Sequence, residues 1–188
     1  MIKNISNRLQ KVSKGWLTLT GLVVFLLFTA LVLPRQSAKA DLETGDVGSP
    51  DTTFFYSTND LYRFAEEYGQ AGRAAYVRAR GTFDVVWPLV YTFFLVTGIS
   101  WLSMRAFSPH SRWHILNFVP VLAMVFDFLE NGCASMVMLR YPQLSPLAAA
   151  LAPPASVIKW ALVMGSFVLL LGIMGVAVWK RMKKGSAK

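Results

Sequence analysis

The sequence predicts an all-α membrane protein, built as a four-transmembrane-helix bundle with an extra exported amphipathic helix. The chain of 188 residues is unusually apolar, with a mean hydropathy of +0.44. It contains four apolar runs, each close to the roughly 20 residues that a membrane-spanning helix needs. The runs lie at residues 16–33, 85–104, 115–139 and 157–179. The segregation of basic residues between the connecting segments is the third observation behind this prediction.

The distribution of charge predicts how the chain is oriented. Eleven of the 19 basic residues, and none of the ten acidic residues, lie in segments 1–15, 105–112 and 180–188. This is the positive-inside pattern, which places these three segments in the cytoplasm. We therefore expect a multi-pass protein of the bacterial cell (inner) membrane with both termini cytoplasmic. The same pattern predicts membrane lipids as partners of the basic segments and argues against nucleic acid.

Residues 1–33 are predicted to form a cytoplasmic N-terminus and the first span. The stretch also has the features of a signal peptide, with a basic start, an apolar run and an A-x-A site that ends at Ala40. Cleavage after Ala40 would leave three spans and an exported N-terminus. The apolar run is longer than in most signal peptides, which favours an uncleaved first span.

Residues 34–57 are predicted to form an exported linker. The segment contains Pro34, Gly45, Gly48 and Pro50 together with many Asp, Ser and Thr residues. Such residues interrupt regular structure, and no periodic apolar pattern is present. The linker would connect the first span to the amphipathic helix.

The exported amphipathic helix is predicted at residues 58–83. Ser57 and the residues that follow it offer several N-caps, and apolar residues then recur every three or four positions. This helix is expected to lie on or across the exported end of the bundle. At Gly81 it either continues into the second span or bends, since glycine weakens a helix.

Residues 84–179 are predicted to supply the other three spans, and residues 180–188 a basic cytoplasmic tail. Before the fourth span, Ser145 and Pro146 have the pattern of an N-cap followed by a first-turn proline. This pattern predicts a short interfacial helix that ends before the fourth span begins.

Two acidic residues inside the third apolar run mark the candidate site. Asp127 and Glu130 lie at membrane depth, where a charge costs roughly 2.5–3.5 kcal/mol on insertion scales. At about 100° per residue, both share a helix face with Asn131 and with small residues. Lipid cannot solvate such a face, so we predict that it points into the bundle.

The partners of these acids are expected at the exported ends of the other helices. On a continuous helix, Arg80 and Asp84 are four residues apart and can pair. Lys159 enters from the fourth span. The predicted ligand or ion pocket comprises Asp127, Glu130, Asn131, Asp84, Arg73, Arg80, Tyr91 and Lys159. A buried network of this kind can also serve only to fix the register of the helices.

Three functions stay open on the sequence alone. The first is an outward-facing acidic and basic pocket that binds a small-molecule ligand or translocates an ion or proton. The second is a non-catalytic accessory or scaffold subunit that assembles with other membrane subunits. The third is a membrane enzyme that acts on a lipid-soluble substrate with the carboxylates as general acid and base. No catalytic residue is assigned, and neither a metal site nor a cofactor is predicted, because the chain has one cysteine and no nucleotide or zinc-protease motif.

Two motifs resemble an uncharacterised group of small bacterial four-span membrane proteins. They are YGxxGRxxY, continued by D, P and Y in the second span, and DxxEN in the third span. The resemblance covers roughly residues 61–179 and implies a four-span fold, but it carries no activity with it. It implies these signature positions: Tyr68, Gly69, Gly72, Arg73, Tyr76, Asp84, Pro88, Tyr91, Asp127, Glu130, Asn131 and Lys159.

Overall fold

The fold is described from a computed structural model that covers residues 2–45, 47–50 and 53–185. These residues form helices and connections without a β-strand. The helices are α1 (Ile2–Val12), α2 (Gly15–Thr44), α3 (Thr58–Glu67), α4 (Gly69–Gly81), α5 (Phe83–Ala106), α6 (Val119–Arg140) and α7 (Pro146–Gly185). A 3₁₀ turn at Arg112–Phe118 precedes α6.

Four helical stretches of the described chain are long and apolar enough to cross a membrane. They are Gly15–Thr44, Gly69–Ala106, Arg112–Arg140 and Pro146–Lys183. This number and these positions confirm the predicted all-α fold class. They also suit an integral, multi-pass membrane protein.

The first span is longer than predicted, so the prediction of a linker over residues 34–57 is wrong in its first part. Helix α2 includes a π-helical turn at Phe28–Val32 and then continues to Thr44. Residues between Pro34 and Thr44 are mostly good helix formers. One helical turn apart, the Nζ atom of Lys39 lies 3.9 Å from the Oε1 atom of Glu43, which also favours the helix. The helix ends at Gly45, whose φ of 71° is left-handed and suits glycine.

The predicted amphipathic helix at 58–83 is two helices in the structure. Helix α3 begins with a capping box, in which the Ser57 and Asp60 side chains each accept a hydrogen bond from the other's backbone N–H. Gly69 then adopts a φ of 61°, which breaks the helix between α3 and α4. A second break follows at Thr82, so the chain bends after Gly81 rather than continuing straight into α5.

The fourth span begins earlier than predicted. Helix α7 runs without interruption from Pro146, so the expected separate interfacial helix is wrong. Pro153 has no N–H to offer the Ala149 carbonyl one turn before it. The Thr58 hydroxyl donates to that carbonyl at 3.0 Å instead. This bond satisfies the freed carbonyl and explains how α7 tolerates the proline.

Helix α5 lies at the centre of the bundle and contacts α2, α6 and α7. Stacked rings join α2 to α5, with Trp87 between Phe25 and Phe28. Helices α3 and α4 cover one end of the bundle, where Leu61 and Phe64 pack with residues of α6 and α7; we call this the capped end. The opposite end carries α1, the 3₁₀ turn and the C-terminus of α7, and we call it the basic end.

Replacing Gly21 by leucine is expected to separate α2 from α5. A Cβ atom at Gly21 would lie 3.1 Å from the Phe94 Cα atom, which is backbone and cannot turn away. Overpacking of this kind destabilises by about 1–3 kcal/mol, measurable by thermal unfolding in detergent. Gly172→Leu is the matched control, because nothing lies within 4 Å of a Cβ atom there. Equal stability losses for both variants would contradict the close packing.

Candidate functional site

The face of α6 that was predicted to point inward is buried along its length. Its polar members are Asp127, Glu130 and Asn131, with 7%, 1% and 5% of their surfaces exposed. Small residues lie on the same face on either side of them, including Ala123 and Ala134. The three polar side chains therefore meet other helices of the bundle instead of lipid.

Glu130 is held by a cation and a phenol from two other elements. Its Oε2 atom lies 2.5 Å from the Nζ atom of Lys159 on α7, and both side chains are buried. Its Oε1 atom accepts a hydrogen bond of 3.1 Å from the hydroxyl of Tyr56, in the connection before α3. Burial and the neighbouring Glu130 raise the pKa of the Tyr56 phenol, so Tyr56 stays protonated as a donor.

Asp127 is held by neutral groups. The Tyr91 hydroxyl on α5 donates to its Oδ2 atom at 3.1 Å, and the Asn131 amide donates to its Oδ1 atom at 3.0 Å. The positive charge of Lys159 is within electrostatic range. Asn131 keeps its Oδ1 atom buried without a hydrogen-bond partner among the described residues. A buried carboxylate and an unused amide oxygen thus lie side by side.

A second ion pair lies where α4 meets α5. The Arg80 guanidinium bonds the Asp84 carboxylate, as their spacing of four residues predicts, across the bend at Thr82. Arg80 also lies over the Tyr76 ring, 4.2 Å from its centroid, and its other terminal nitrogen is 3.5 Å from the Ser49 hydroxyl. Lys159 and Glu130 are within electrostatic range of Asp84. The two ion pairs, Asp127 and the side chains that bond these carboxylates therefore form one group, which we call the acid cluster and which includes Tyr56, Tyr91 and Asn131.

Among the described residues, the acid cluster contains one more acid than base. Its charged members are the carboxylates of Asp84, Asp127 and Glu130 and the cations of Arg80 and Lys159. Lys159 contacts Glu130 and Arg80 contacts Asp84, whereas the described hydrogen-bond partners of Asp127 are the neutral Tyr91 and Asn131. If all five groups are ionised, the cluster carries one negative charge in surroundings that solvate charge poorly.

Arg73 is the one predicted site residue that lies outside the acid cluster. Its guanidinium donates to the Ala65 carbonyl at 2.7 Å and lies 4.9 Å from the centre of the Tyr141 ring. Arg73 and Arg80 lie on the same face of α4, but Arg73 is seven residues closer to the start of the helix, about 10 Å from Arg80 along its axis. Arg73 instead ties the start of α4 to the end of α3.

Tyr56 belongs to the acid cluster and was missed by the sequence analysis. It lies in the predicted linker, where an aromatic residue gives no periodic signal. Only 8% of its surface is exposed, and it packs with Tyr76 and Ala134 in the core of the capped end. Its position directly before the Ser57 N-cap is the feature that could have drawn attention to it.

A second polar group, also missed, lies at the basic end. The Ser6 hydroxyl of α1 contacts the His114 carbonyl at 2.9 Å and the Asn117 Oδ1 atom at 3.0 Å. The Asn117 amide also donates to the Ser100 hydroxyl of α5 at 3.0 Å. Ser6, Ser100 and Asn117 are buried and uncharged, and we call them the serine–asparagine cluster. Single Ser and Asn residues in apolar runs are common, so the sequence gives no sign that these three meet.

The described residues contain no group of three His, Cys, Asp or Glu side chains placed to hold a metal ion.

Comparison with known proteins finds no relative of this chain. No protein-family model matches the chain, and no match was found among curated proteins or among solved structures. The arrangement of the acid cluster is therefore the basis for the functional proposal.

Proposed function

We propose that this chain is a multi-pass protein of the bacterial inner membrane whose acid cluster binds one small positive charge, a proton or a monovalent cation. Both termini are cytoplasmic in this proposal, and the capped end faces the exported side. The observation that carries the proposal is the third carboxylate. Asp127 lies in a buried cluster with two cations already engaged by other acids. Uptake of one positive charge balances the charges of the described cluster residues, which a membrane interior favours.

The groups around Asp127 suit either form of that charge. The carboxylate, the Tyr91 hydroxyl and the free Asn131 Oδ1 atom offer oxygen, the donor that hard monovalent and divalent cations prefer. A protonated Asp127 carboxyl would also find a hydrogen-bond acceptor in these groups. Turning the Asn131 amide by half a rotation would let its oxygen accept from a protonated carboxyl, since the two ends of an amide are nearly the same size.

Asp127→Asn tests the proposal, because it removes the extra acid and keeps the size of the side chain. Thermal unfolding of the purified protein is measured across a sodium series at fixed pH and across a pH series at fixed sodium. If the folded cluster binds sodium, stability of the original chain rises with sodium, by about 2.7 kcal/mol at 100 times the dissociation constant. If it binds a proton, the folded state holds more protons than the unfolded state, so stability falls as the pH rises. The variant is expected to lose whichever dependence is present.

Glu66→Gln is the matched control for this experiment. Glu66 is exposed on α3, so the same change in charge and size there leaves the acid cluster intact. This variant is expected to keep the full sodium or pH dependence. Retention of that dependence by Asp127→Asn, or its loss in both variants, would contradict a charge-binding role for Asp127.

An accessory or scaffold subunit is the second candidate. The observation that favours it is that side chains of other elements already bond each carboxylate of the acid cluster, which links α4, α5, α6, α7 and the connection before α3. Such a network can fix the arrangement of helices without binding a ligand. Under this interpretation, Asp127→Asn changes the stability of the bundle but not its response to sodium or pH.

A further inference from the structure

Helix α1 docks on the bundle with a polar face. Ser6, Gln10 and Ser13 are spaced by four and three residues, lie on one side of the helix and are buried. Ser6 reaches Asn117 and the His114 carbonyl through its hydroxyl. A helix in water normally buries its apolar stripe and exposes its polar residues. In α1 the face that contacts the protein is polar, so its apolar stripe lies on another side of the helix.

The apolar stripe of α1 faces away from the protein. It consists of Ile5, Leu9 and Val12 and continues into Trp16 at the start of α2, with the same spacing of four and three residues. Ile5, Val12 and Trp16 are 42%, 64% and 63% exposed, and Leu9 is half-buried. Beyond Trp16 the stripe joins the exposed apolar surface of the first span. The stripe is therefore continuous with a surface that belongs in lipid, which places α1 in the interface at the level of the headgroups.

The third face of α1 is basic. Asn4, Asn7, Arg8 and Lys11 are exposed and line a shallow, open depression of about 260 Å³. Helix α1 has no acidic residue, so no carboxylate within the helix competes for these two cations. Arginine and lysine next to amide donors are suited to a phosphate, which arginine can bind through two hydrogen bonds. With its apolar stripe in the interface, α1 carries this face at the depth of lipid phosphates.

We propose that the basic face of α1 is a binding site for the phosphate headgroup of an anionic phospholipid. The occupant is a lipid of the leaflet that the basic end meets, with its acyl chains along Val12 and Trp16 and its phosphate at Arg8 and Lys11. A basic residue near an anionic surface contributes about a 5.4-fold gain in association, so the two together give about thirtyfold. This site is separate from the acid cluster and independent of what that cluster binds.

The test compares lipid binding to the full-length protein and to the double variant Arg8→Gln/Lys11→Gln. Native mass spectrometry of the protein in detergent gives dissociation constants for phosphatidylglycerol and for phosphatidylcholine. The original chain is expected to bind phosphatidylglycerol at least tenfold more tightly, and the double variant is expected to lose this preference. The control Arg63→Gln/Arg78→Gln makes the same charge change at exposed positions of α3 and α4 and is expected to keep the preference.

Three results would contradict the proposed lipid-binding site. They are an unchanged preference in Arg8→Gln/Lys11→Gln, an equal loss in the control, and competition by inorganic phosphate at the concentration of the lipid. The last result would show a binding site for a free anion instead of a lipid. If the double variant does not fold, the salt dependence of the original chain decides. Phosphatidylglycerol binding through charge must weaken as sodium chloride rises from about 0.1 to 1 M, where the screening length falls from about 10 to 3 Å.

Discussion

Lys159→Met is expected to destabilise the protein more than any other single change at the acid cluster, by about 3–5 kcal/mol of unfolding free energy. Methionine keeps the length and flexibility of the side chain but removes the charge. Glu130, which is 1% exposed and lies 2.5 Å from the Lys159 ammonium, would then be a buried carboxylate without its cation. The described residues of the cluster would also carry two excess negative charges instead of one. Thermal or denaturant unfolding in a fixed detergent measures the loss.

Two further variants distinguish the effect of losing the ion pair from the effect of losing a lysine anywhere on the helix. Lys183→Met changes an exposed lysine on the same helix and is expected to be close to neutral. Lys159→Met/Glu130→Gln removes both charges, so the double variant is expected to be more stable than Lys159→Met alone. If Lys159→Met unfolds within about 0.5 kcal/mol of the original chain, the pair does not hold the bundle and a different cation compensates Glu130.

The inward face of α6 could be predicted because the penalty for exposing a charge to lipid is larger than any competing local preference. Asp127, Glu130 and Asn131 are spaced so that one orientation buries all three, and the structure has that orientation. The pairing of Lys159 with Glu130 could not be assigned from the sequence. The register of α7 against α6 decides which acid the lysine meets, and small side chains along both helices allow several registers.

The ends of the helices were predicted less well than their cores, since tertiary contacts replaced the local signals. Pro153 and Pro154 predict a helix boundary, yet the Thr58 hydroxyl satisfies the carbonyl that Pro153 frees, and α7 continues. Pro34 sits at the first turn of a helical segment, where a proline is tolerated, so the first span extends past it. At Gly69 the opposite occurred, because a single left-handed residue divided a periodic pattern into two helices, and Arg73 bonds the Ala65 carbonyl across that break.

Asn117→Ala is expected to release α1 from the bundle and to lower the unfolding free energy by about 1–3 kcal/mol. The Asn117 side chain is fully buried and bonds both Ser6 on α1 and Ser100 on α5, so its removal takes the amide donor from the buried Ser100 hydroxyl and leaves the Ser6 hydroxyl with the His114 carbonyl alone. Since the described hydrogen bonds between α1 and the rest of the bundle all involve Ser6, and two of them are made with Asn117, the helix should open locally. Limited trypsin digestion after Arg8 and Lys11 is expected to be faster in the variant.

This prediction distinguishes docking of α1 through polar contacts from docking through its apolar stripe. If Ile5 and Val12 faced the bundle, apolar packing would hold α1, and loss of a single amide would change trypsin digestion little. Ser6→Ala is expected to act through the same bonds as Asn117→Ala, so the double variant should lose less than the two single losses together. Ser13→Ala is the control on the same face, because the Ser13 hydroxyl bonds only the Leu9 carbonyl one turn before it. Faster digestion in Ser13→Ala, with none in Asn117→Ala, would mean that the serine–asparagine cluster does not dock α1.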